Sequence, residues 1–117
     1  MIQTLSLVAL GGAAGSALRY LTVLAVPAPA GTLIVNVAGS LAMGVLSVIL
    51  VTRLHLSPFL MTGLLGGFTT FSAFSLDAVR LWESGQGITA LGYVVGSVIL
   101  SILALALGVV VARGAFA

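Results

Sequence analysis

The sequence predicts an all-α membrane protein with four spanning helices, because its composition is far too apolar for a domain that faces water. Of the 117 residues, 61% are hydrophobic and 5% are charged, whereas a soluble domain carries roughly 25% charged residues. Four apolar stretches reach the length of about 20 residues that a spanning helix needs. They lie approximately at residues 2–26, 31–52, 58–82 and 88–112. The chain is therefore expected to be a single integral membrane domain.

Charged and turn-forming residues delimit these spans. The first span has one charge, Arg19, close to its end, and a turn at residues 27–30 follows. The second is uncharged and ends at Arg53, and the fourth follows the polar loop 83–87 and ends at Arg113. The turn 27–30 resembles a signal-peptide cleavage site. We nevertheless expect the first span to stay in the protein, because its apolar run is too long and lacks a basic start.

The third span is expected to be broken near its centre. Residues 66–75 read GGFTTFSAFS, in which two glycines precede hydroxyl-bearing and β-branched residues that are poor formers of a continuous helix. A break at Gly66 and Gly67 frees backbone carbonyls at the end of one half-helix and N–H groups at the start of the next. In membrane proteins such breaks occur where protein or a cavity buries them, and they commonly form ion sites.

The few ionisable residues exclude several function classes. The four arginines are spread along the chain, so no basic patch supports nucleic-acid binding. The absence of cysteine excludes disulfides, thiolate metal sites and cysteine nucleophiles. No general base lies beside the serines and threonines, which argues against a hydrolase or transferase. The two acids, Asp77 and Glu83, lie toward the end of the third span, so no titratable group is expected at the centre of a span.

The arginine distribution predicts an antiparallel homodimer. With an even number of spans, Arg53 and Arg113 share one side of the membrane, whereas Arg80 and Arg19 lie on the other. Equal numbers give the positive-inside rule no bias, so both orientations are expected, and opposed copies pair about an axis in the membrane plane. The alternative is that one arginine decides a single orientation. Size also favours an oligomer, because four helices leave little room for a solvated path except along a subunit interface.

Small residues recur at the spacing of helix-packing contacts. The chain has 15 glycines, and pairs of glycines four residues apart let helix backbones approach closely in lipid. Three such pairs are Gly11 and Gly15, Gly63 and Gly67, and Gly92 and Gly96. We expect most of these glycines to serve packing alone.

Aromatic and hydroxyl side chains concentrate in the third span. Phe71 and Phe74 are three residues apart, so they lie on one face if the segment is helical. Because the edge of an aromatic ring is positive, two ring edges attract an anion without a full counter-charge. The hydroxyl residues around the two rings are Thr69, Thr70, Ser72 and Ser75. Hydroxyls at this density are costly on a face toward lipid, so we interpret the segment as the wall of a polar path.

Other spans supply further candidates for this path. Tyr93, Ser97 and Ser101 are spaced by four residues in the fourth span, where their hydroxyls lie on one helical face. Asn36 in the second span has a carboxamide that needs partners or a wet cavity. Arg19 either extends its guanidinium to the membrane interface or lies in a vestibule that attracts anions.

Three motifs make the chain resemble the Fluc (CrcB) fluoride channels over nearly its full length. They are GGAAGSALRY at residues 11–20, GTLIVN with AGSLAMG at 31–36 and 38–44, and GGFTTFSAFS at 66–75, of which the last is specific. The resemblance implies an antiparallel, dual-topology homodimer of four-helix subunits. It further implies that the protein lies in the inner (cytoplasmic) membrane of a prokaryote and passively exports toxic F⁻ through two pores.

The resemblance also implies roles for residues along the fluoride path. Phe71 and Phe74 resemble the paired phenylalanines whose ring edges line it, Asn36 resembles the pore asparagine, and Arg19 resembles the arginine of the entrance vestibule. The remaining residues assigned to the path, by resemblance, by spacing or by position beside the rings, are Tyr93, Ser97, Ser101, Thr70, Ser72 and Thr32.

A structural cation follows from the same resemblance. Gly66 and Thr69 resemble positions whose backbone carbonyls, two from each subunit, hold a central Na⁺. Oxygen ligands of this kind suit a hard cation. One residue departs from the family pattern, because Ala73 stands where threonine is common. The hydroxyl between the two rings is therefore missing.

The function expected from these observations is fluoride-selective electrodiffusion, and two other function classes stay open. A strongly hydrated anion must exchange its water for hydroxyl, amide and ring-edge donors in a narrow path, where larger halides fit poorly. The first alternative is a small multidrug-type antiporter, which depends on a proton gradient and has only Asp77 and Glu83 to use. The second is a non-transporting membrane scaffold, which tolerates polar replacement of Phe71 and Phe74.

Overall fold

The computed structural model describes residues 1–116, and all regular elements within that range are helices. The α-helices are α1 (Ile2–Ala25), α2 (Ala30–Ile49), α3 (Gly66–Phe68), α4 (Phe71–Glu83) and α5 (Gly87–Phe116). Between α2 and α3 lie two 3₁₀ turns, Leu50–Thr52 and Leu54–Leu56, and the π-helix Pro58–Leu65.

These elements give four helices that are long and apolar enough to cross a membrane, which confirms the four spanning helices predicted from composition. They cover Ile2–Ala25, Ala30–Thr52, Leu54–Glu83 and Gly87–Phe116. The third span differs from the others, because it combines a 3₁₀ turn, the π-helix, α3 and α4 instead of one continuous α-helix.

Two extended residues separate α3 from α4. Thr69 has φ −83° and ψ 157°, and Thr70 has φ −151° and ψ 123°. Gly66 and Gly67, where the sequence pattern places the interruption, are helical instead. The reason is packing: a Cβ on Gly67 would lie 2.6 Å from the carbonyl oxygen of Gly12 in α1. The missing side chain of Gly67 therefore allows a close helix contact, and the change of direction falls on the threonines that follow.

Glycines bring α1 into backbone contact with the first half of the third span. A Cβ on Gly11 would collide with the carbonyl oxygen of Phe59, and a Cβ on Gly15 would collide with that of Leu64. From the opposite side, a Cβ on Gly63 would lie 2.8 Å from a carbonyl oxygen of α1. The prediction that the first two glycine pairs serve helix packing is confirmed.

Helices α2 and α5 form a second close pair. A Cβ on Gly44 would collide with the carbonyl oxygen of Leu105, and a Cβ on Gly108 would collide with that of Leu41. Val35 on α2 is fully buried, and α4 also packs against α5. As a result α2 and α5 together form one support for the third span, and α1 forms another.

Candidate functional site

A cavity of about 360 Å³ lies where α2, α4 and α5 meet the extended residues of the third span. The residues of the predicted path that line it are Asn36, Thr70, Phe71, Phe74, Ser97 and Ser101, and Thr69 joins them. The fold therefore brings together most of the predicted path residues from three separate segments. Thr32, Ser72 and Tyr93 lie outside this wall, as does Arg19.

The side chain of Asn36 binds the backbone of Thr70 through both ends of its amide. Its Nδ2 donates to the Thr70 carbonyl oxygen at 3.0 Å, and the Thr70 N–H donates to Oδ1 at 2.8 Å. This pairing satisfies the backbone of a residue that has left the helix. A carboxamide nitrogen carries two hydrogens, so one donor of Asn36 is not used by Thr70 and is available at the cavity.

Helix α4 begins at this cavity. Thr70 is its N-cap, and the Thr70 hydroxyl accepts a hydrogen bond from the Ala73 N–H at 3.1 Å. Ser72 adds a hydroxyl whose Oγ lies 3.4 Å from Thr70 Oγ1. The first N–H groups of a helix have no partner within it and form the positive end of its dipole. Because Ala73 contributes only its backbone, the departure from the family's threonine leaves this cap intact.

Arg19 contacts the third span from the side of α1. The guanidinium is partly buried, and its Nε donates to the carbonyl oxygen of Gly67 at 3.1 Å. A cation is favourable next to the C-terminal carbonyls of a helical segment. Arg19 is therefore directed at the end of α3, beside the extended residues, and not away from the protein toward the membrane interface.

Three aromatic rings form a row beside the cavity. The centroids of Phe71 and Phe74 are 5.4 Å apart with an interplanar angle of 52°, and those of Phe74 and Tyr93 are 5.3 Å apart at 45°. The two phenylalanines differ in environment, because Phe74 is 7% exposed and Phe71 is 77% exposed. One ring is thus fixed in the core of the chain, whereas the other faces outward from a single subunit.

Ser97 carries a buried hydroxyl without a hydrogen-bond partner. The residue is 5% exposed, and its Oγ contacts no donor or acceptor in residues 1–116. Leaving a buried polar group unsatisfied costs roughly 1–3 kcal/mol, so such groups in native proteins require an explanation. Ser97 lines the cavity together with Ser101, which makes its hydroxyl a candidate hydrogen-bond donor for a ligand.

Asp77 is buried beside the predicted path residue Tyr93, a contact that the sequence analysis did not predict. It is 9% exposed, and its Oδ2 accepts a hydrogen bond from the Tyr93 hydroxyl at 3.0 Å. Thr32, which is also buried, lies near the same hydroxyl. A signal was present, because Asp77 follows Phe74 by three residues and therefore shares its helical face. The partner, Tyr93, is sixteen residues away on another helix, which a local pattern does not reveal.

The only metal ligands expected from the family resemblance are the backbone carbonyls of Gly66 and Thr69, near the interruption. Thr69 directs both its N–H and its hydroxyl to the Leu65 carbonyl oxygen, at 3.0 and 2.9 Å. No backbone N–H in residues 1–116 donates to the Thr69 carbonyl across the interruption. In the same range there is no cluster of histidine, aspartate or glutamate that could hold a metal ion. Uncharged oxygen donors suit a hard cation and not a soft one.

These features define a small integral membrane protein of four spans, with a largely apolar cavity at the interruption of its third span that carries aromatic rings and neutral polar groups. The chain belongs to the CrcB family. The family described as "CrcB-like protein, Camphor Resistance (CrcB)" matches residues 6–109.

Similar proteins from several bacteria are each named "Fluoride-specific ion channel FluC". The protein of Paracoccus denitrificans is 58% identical over an aligned length of 124 residues, and the match covers 100% of each chain. The protein of Cereibacter sphaeroides is 55% identical, covering 97% of this chain and 98% of its own. The protein of Rhizobium meliloti is 51% identical, covering 92% and 94%. The family match at residues 6–109 spans the part of the chain that contains the cavity residues.

Proposed function

We propose that this protein is a fluoride-selective ion channel that passively exports F⁻ and lowers toxic intracellular fluoride. The observation that carries the proposal is the unpartnered, buried hydroxyl of Ser97 in a cavity whose other polar groups are also neutral. The similar proteins named as fluoride-specific channels support the choice of anion. The alternative of a non-transporting scaffold gives no reason to keep such a hydroxyl unsatisfied.

Fluoride is small and strongly hydrated, so the path must replace its water with hydrogen-bond donors. The cavity offers the hydroxyls of Ser97 and Ser101, the free amide hydrogen of Asn36, and the ring edges of Phe71 and Phe74. The start of α4 adds the positive end of a helix dipole. No cationic side chain lies on the cavity wall, so the anion is held weakly enough to leave again.

The remaining predicted path residues flank the cavity and orient its wall. Tyr93 stacks on Phe74 and donates its hydroxyl to Asp77, which fixes the angle of the phenol ring. Thr32 lies near that hydroxyl, and Ser72 lies at the start of α4. We assign these residues to the surroundings of the path, where they support the residues of the cavity wall.

The active unit in this proposal is an antiparallel, dual-topology homodimer with two pores along the subunit interface. The outward-facing ring of Phe71 supports it, because the cavity is incomplete on that side in one chain. Gly92 and Gly96 are four residues apart, the spacing of close helix contacts in lipid, and no atom of the chain lies within 4 Å of a Cβ on either, so they are available to a second subunit. The broken third helix of each subunit then lies near the centre of the dimer.

A Na⁺ at the dimer centre belongs to the same proposal. The carbonyl oxygens of Gly66 and Thr69, two from each subunit, would hold it, and their neutral oxygen chemistry fits a hard cation. When bound, such an ion makes the electrostatic potential more favourable for an anion in the adjacent pores. Arg19, whose guanidinium lies beside the interruption, contributes positive potential in the vestibule of the same region.

The export direction follows from the membrane potential. We place the protein in the inner (cytoplasmic) membrane of a prokaryote, where the inside is negative. One elementary charge moving through 100 mV changes its free energy by about 2.3 kcal/mol, which drives F⁻ outward through an open path. No coupling to another solute is needed.

Ion release from liposomes tests the proposal. Purified protein is reconstituted into vesicles loaded with KF or KCl, release is started with valinomycin, and each anion is followed with a selective electrode. Rapid release of F⁻ with negligible release of Cl⁻ is expected. Equal release of both anions would contradict the selectivity, and no release under any gradient would favour the scaffold.

The second candidate function is a proton-coupled antiporter, which the burial of Asp77 in the third span favours. Intramembrane acids are the usual proton carriers of such transporters. The same vesicles discriminate the two functions when the pH is equal on both sides or differs across the membrane. A channel releases F⁻ equally in both cases once valinomycin is present, whereas an antiporter requires the pH gradient.

A further inference from the structure

The interruption of the third span depends on where one backbone N–H is directed. In a continuous α-helix, each N–H donates to the carbonyl four residues earlier, so Thr70 would donate to Gly66. The preceding residue still follows this rule, because the Thr69 N–H donates to Leu65 at 3.0 Å. The Thr70 N–H instead donates to Oδ1 of Asn36 at 2.8 Å.

This change releases the carbonyl of Gly66 from the helix. Its neighbours are otherwise engaged, since the Leu65 carbonyl accepts from Thr69 and the Gly67 carbonyl accepts from Arg19. The Thr70 carbonyl accepts from Nδ2 of Asn36. The hydrogen bonds around the interruption therefore leave the Gly66 oxygen without its helical donor and occupy the carbonyls on either side of it.

The packing of α2 holds Asn36 next to the Thr70 N–H. It follows Val35, which is fully buried in α2. One turn later, a Cβ on Gly39 would collide with Cγ2 of Thr69. Helix α2 thus touches both extended residues of the third span, through Gly39 at Thr69 and through Asn36 at Thr70. This packing supports the geometry of the amide pairing.

We propose that Asn36 is a positioning residue for the cation site: by accepting the Thr70 N–H, it frees the Gly66 carbonyl to bind Na⁺. This inference rests on the proposed function, specifically on Na⁺ bound by Gly66 and Thr69. It adds a role to Asn36 that is separate from contact with the anion, because the acceptor oxygen serves the cation site and the free amide hydrogen serves the path. Cation binding and fluoride flux are then separable by substitution.

The test compares a substitution that removes the oxygen accepting from the Thr70 N–H with a substitution that keeps such an oxygen. Asn36→Leu has a similar shape but accepts no hydrogen bond, so Thr70 is free to donate to Gly66 again. Asn36→Asp keeps an acceptor at the same position. Gln86→Leu, which removes a carboxamide from an exposed loop, is the matched control. Each full-length variant is purified in detergent with N-methyl-D-glucamine as the only cation.

Na⁺ affinity is measured by calorimetric titration with NaCl, and the rise in melting temperature with Na⁺ is a second readout. Asn36→Leu is expected to weaken Na⁺ binding by about 10- to 100-fold, as loss of an outer-shell partner does at other metal sites. Asn36→Asp is expected to bind Na⁺ at least as tightly as the original protein, because it keeps the acceptor and adds a negative charge near the cation, and Gln86→Leu is expected to leave the affinity unchanged. If Asn36→Leu does not give monodisperse protein, Asn36→Ala provides the same comparison.

Three results would overturn the inference, and they have different consequences. If Asn36→Leu binds Na⁺ as tightly as the original protein, Asn36 does not position the site. If both Asn36→Leu and Asn36→Asp lose affinity, the acceptor oxygen is not the cause. If the original protein binds no Na⁺ yet releases fluoride from liposomes, the cation site and this inference are both wrong, whereas the channel function stands.

Discussion

The two sides of the third span are stabilised in opposite ways. Toward α1, Gly63 and Gly67 allow backbone contact, and the hydrogen bond from Arg19 lies at the end of that contact. Toward α2 and α5, the span presents extended residues, an amide pairing with Asn36 and a cavity of about 360 Å³. At the glycines of the first side, the helix backbones lie too close together for any side chain between them. On the second side, polar groups line a cavity.

The face of the third span toward α1 therefore provides close packing, and the face toward α2 and α5 provides polar groups at a cavity. Close glycine packing anchors the span against α1, and the anchor permits an interruption whose helical hydrogen bonds are replaced by side chains from α2. Substitutions on the glycine face are therefore expected to affect folding. Substitutions on the cavity face are expected to affect ion passage while the fold is retained.

The largest effect is expected on the glycine face, from Gly15→Ala. The added Cβ would collide with the Leu64 carbonyl oxygen and lie 2.8 Å from the Phe68 nitrogen. Because backbone atoms cannot move aside as side chains do, we expect the free energy of unfolding to fall by about 3 kcal/mol. Thermal unfolding in detergent and the yield of monodisperse protein measure it.

Gly114→Ala is the matched control for this substitution, because no atom lies within 4 Å of a Cβ there. It is expected to leave the melting temperature unchanged or to raise it, since alanine favours a helix more than glycine does. If Gly15→Ala were as stable as Gly114→Ala, the description of the α1 face as a backbone contact would be wrong.

The next largest effect is expected on the cavity face, from Ser97→Ala. A hydrogen bond to a charged group contributes about 1.5–3 kcal/mol, so we expect fluoride release from liposomes to slow by roughly 10- to 100-fold. Removing the unpartnered hydroxyl also relieves an unsatisfied buried group, so the melting temperature should not fall. The measurement therefore combines the fluoride electrode with thermal unfolding.

Ser6→Ala is the control, because the Ser6 hydroxyl is exposed and donates to the Ile2 carbonyl of its own helix. It should change neither flux nor melting temperature. A loss of flux in Ser97→Ala that appears only with a loss of stability would show that Ser97 supports the fold and does not contact the anion.

The contrast between the two faces also explains how far sequence reasoning reaches. Composition alone predicts four spans, because a lipid environment admits few other structures. The i, i+3 spacing of Phe71 and Phe74 predicts neighbouring rings, and the rings are neighbours. The position of the interruption was not predictable, because Gly67 allows either a bend or a close contact, and the backbone of α1 decides which.

Hydrogen bonds between residues far apart in the sequence were not predictable from sequence patterns either. Asn36 and Thr70 are 34 residues apart, and Arg19 and Gly67 are 48 residues apart. In each pair the group on the third span belongs to the backbone. Because every residue has such groups, the type of residue does not indicate which one is the partner. The hydroxyls around the rings indicate a polar path, but the fold alone shows which of them reach the cavity.

A smaller effect is expected from Phe71→Ile, which keeps apolar volume and removes the ring edge. Aromatic contacts of this kind contribute about 0.5–1.5 kcal/mol, so fluoride release should slow by roughly 2- to 10-fold. Phe116→Ile is the control, because Phe116 is exposed at the end of α5 and lies outside the cavity. Equal release rates in the two variants would contradict a role of the ring edge.

The smallest effect is expected from Asp77→Asn, which tests whether the buried acid carries a proton or only orients Tyr93. Asparagine keeps an acceptor oxygen for the Tyr93 hydroxyl, now 3.0 Å from Asp77 Oδ2, but it cannot release a proton. In a channel the flux should change by about twofold or less, because the hydrogen bond that orients Tyr93 is weakened but still made. Asp77→Leu, which leaves the hydroxyl without an acceptor, should reduce the flux further. Abolished transport in Asp77→Asn, together with a requirement for a pH gradient in the original protein, would instead establish the antiporter.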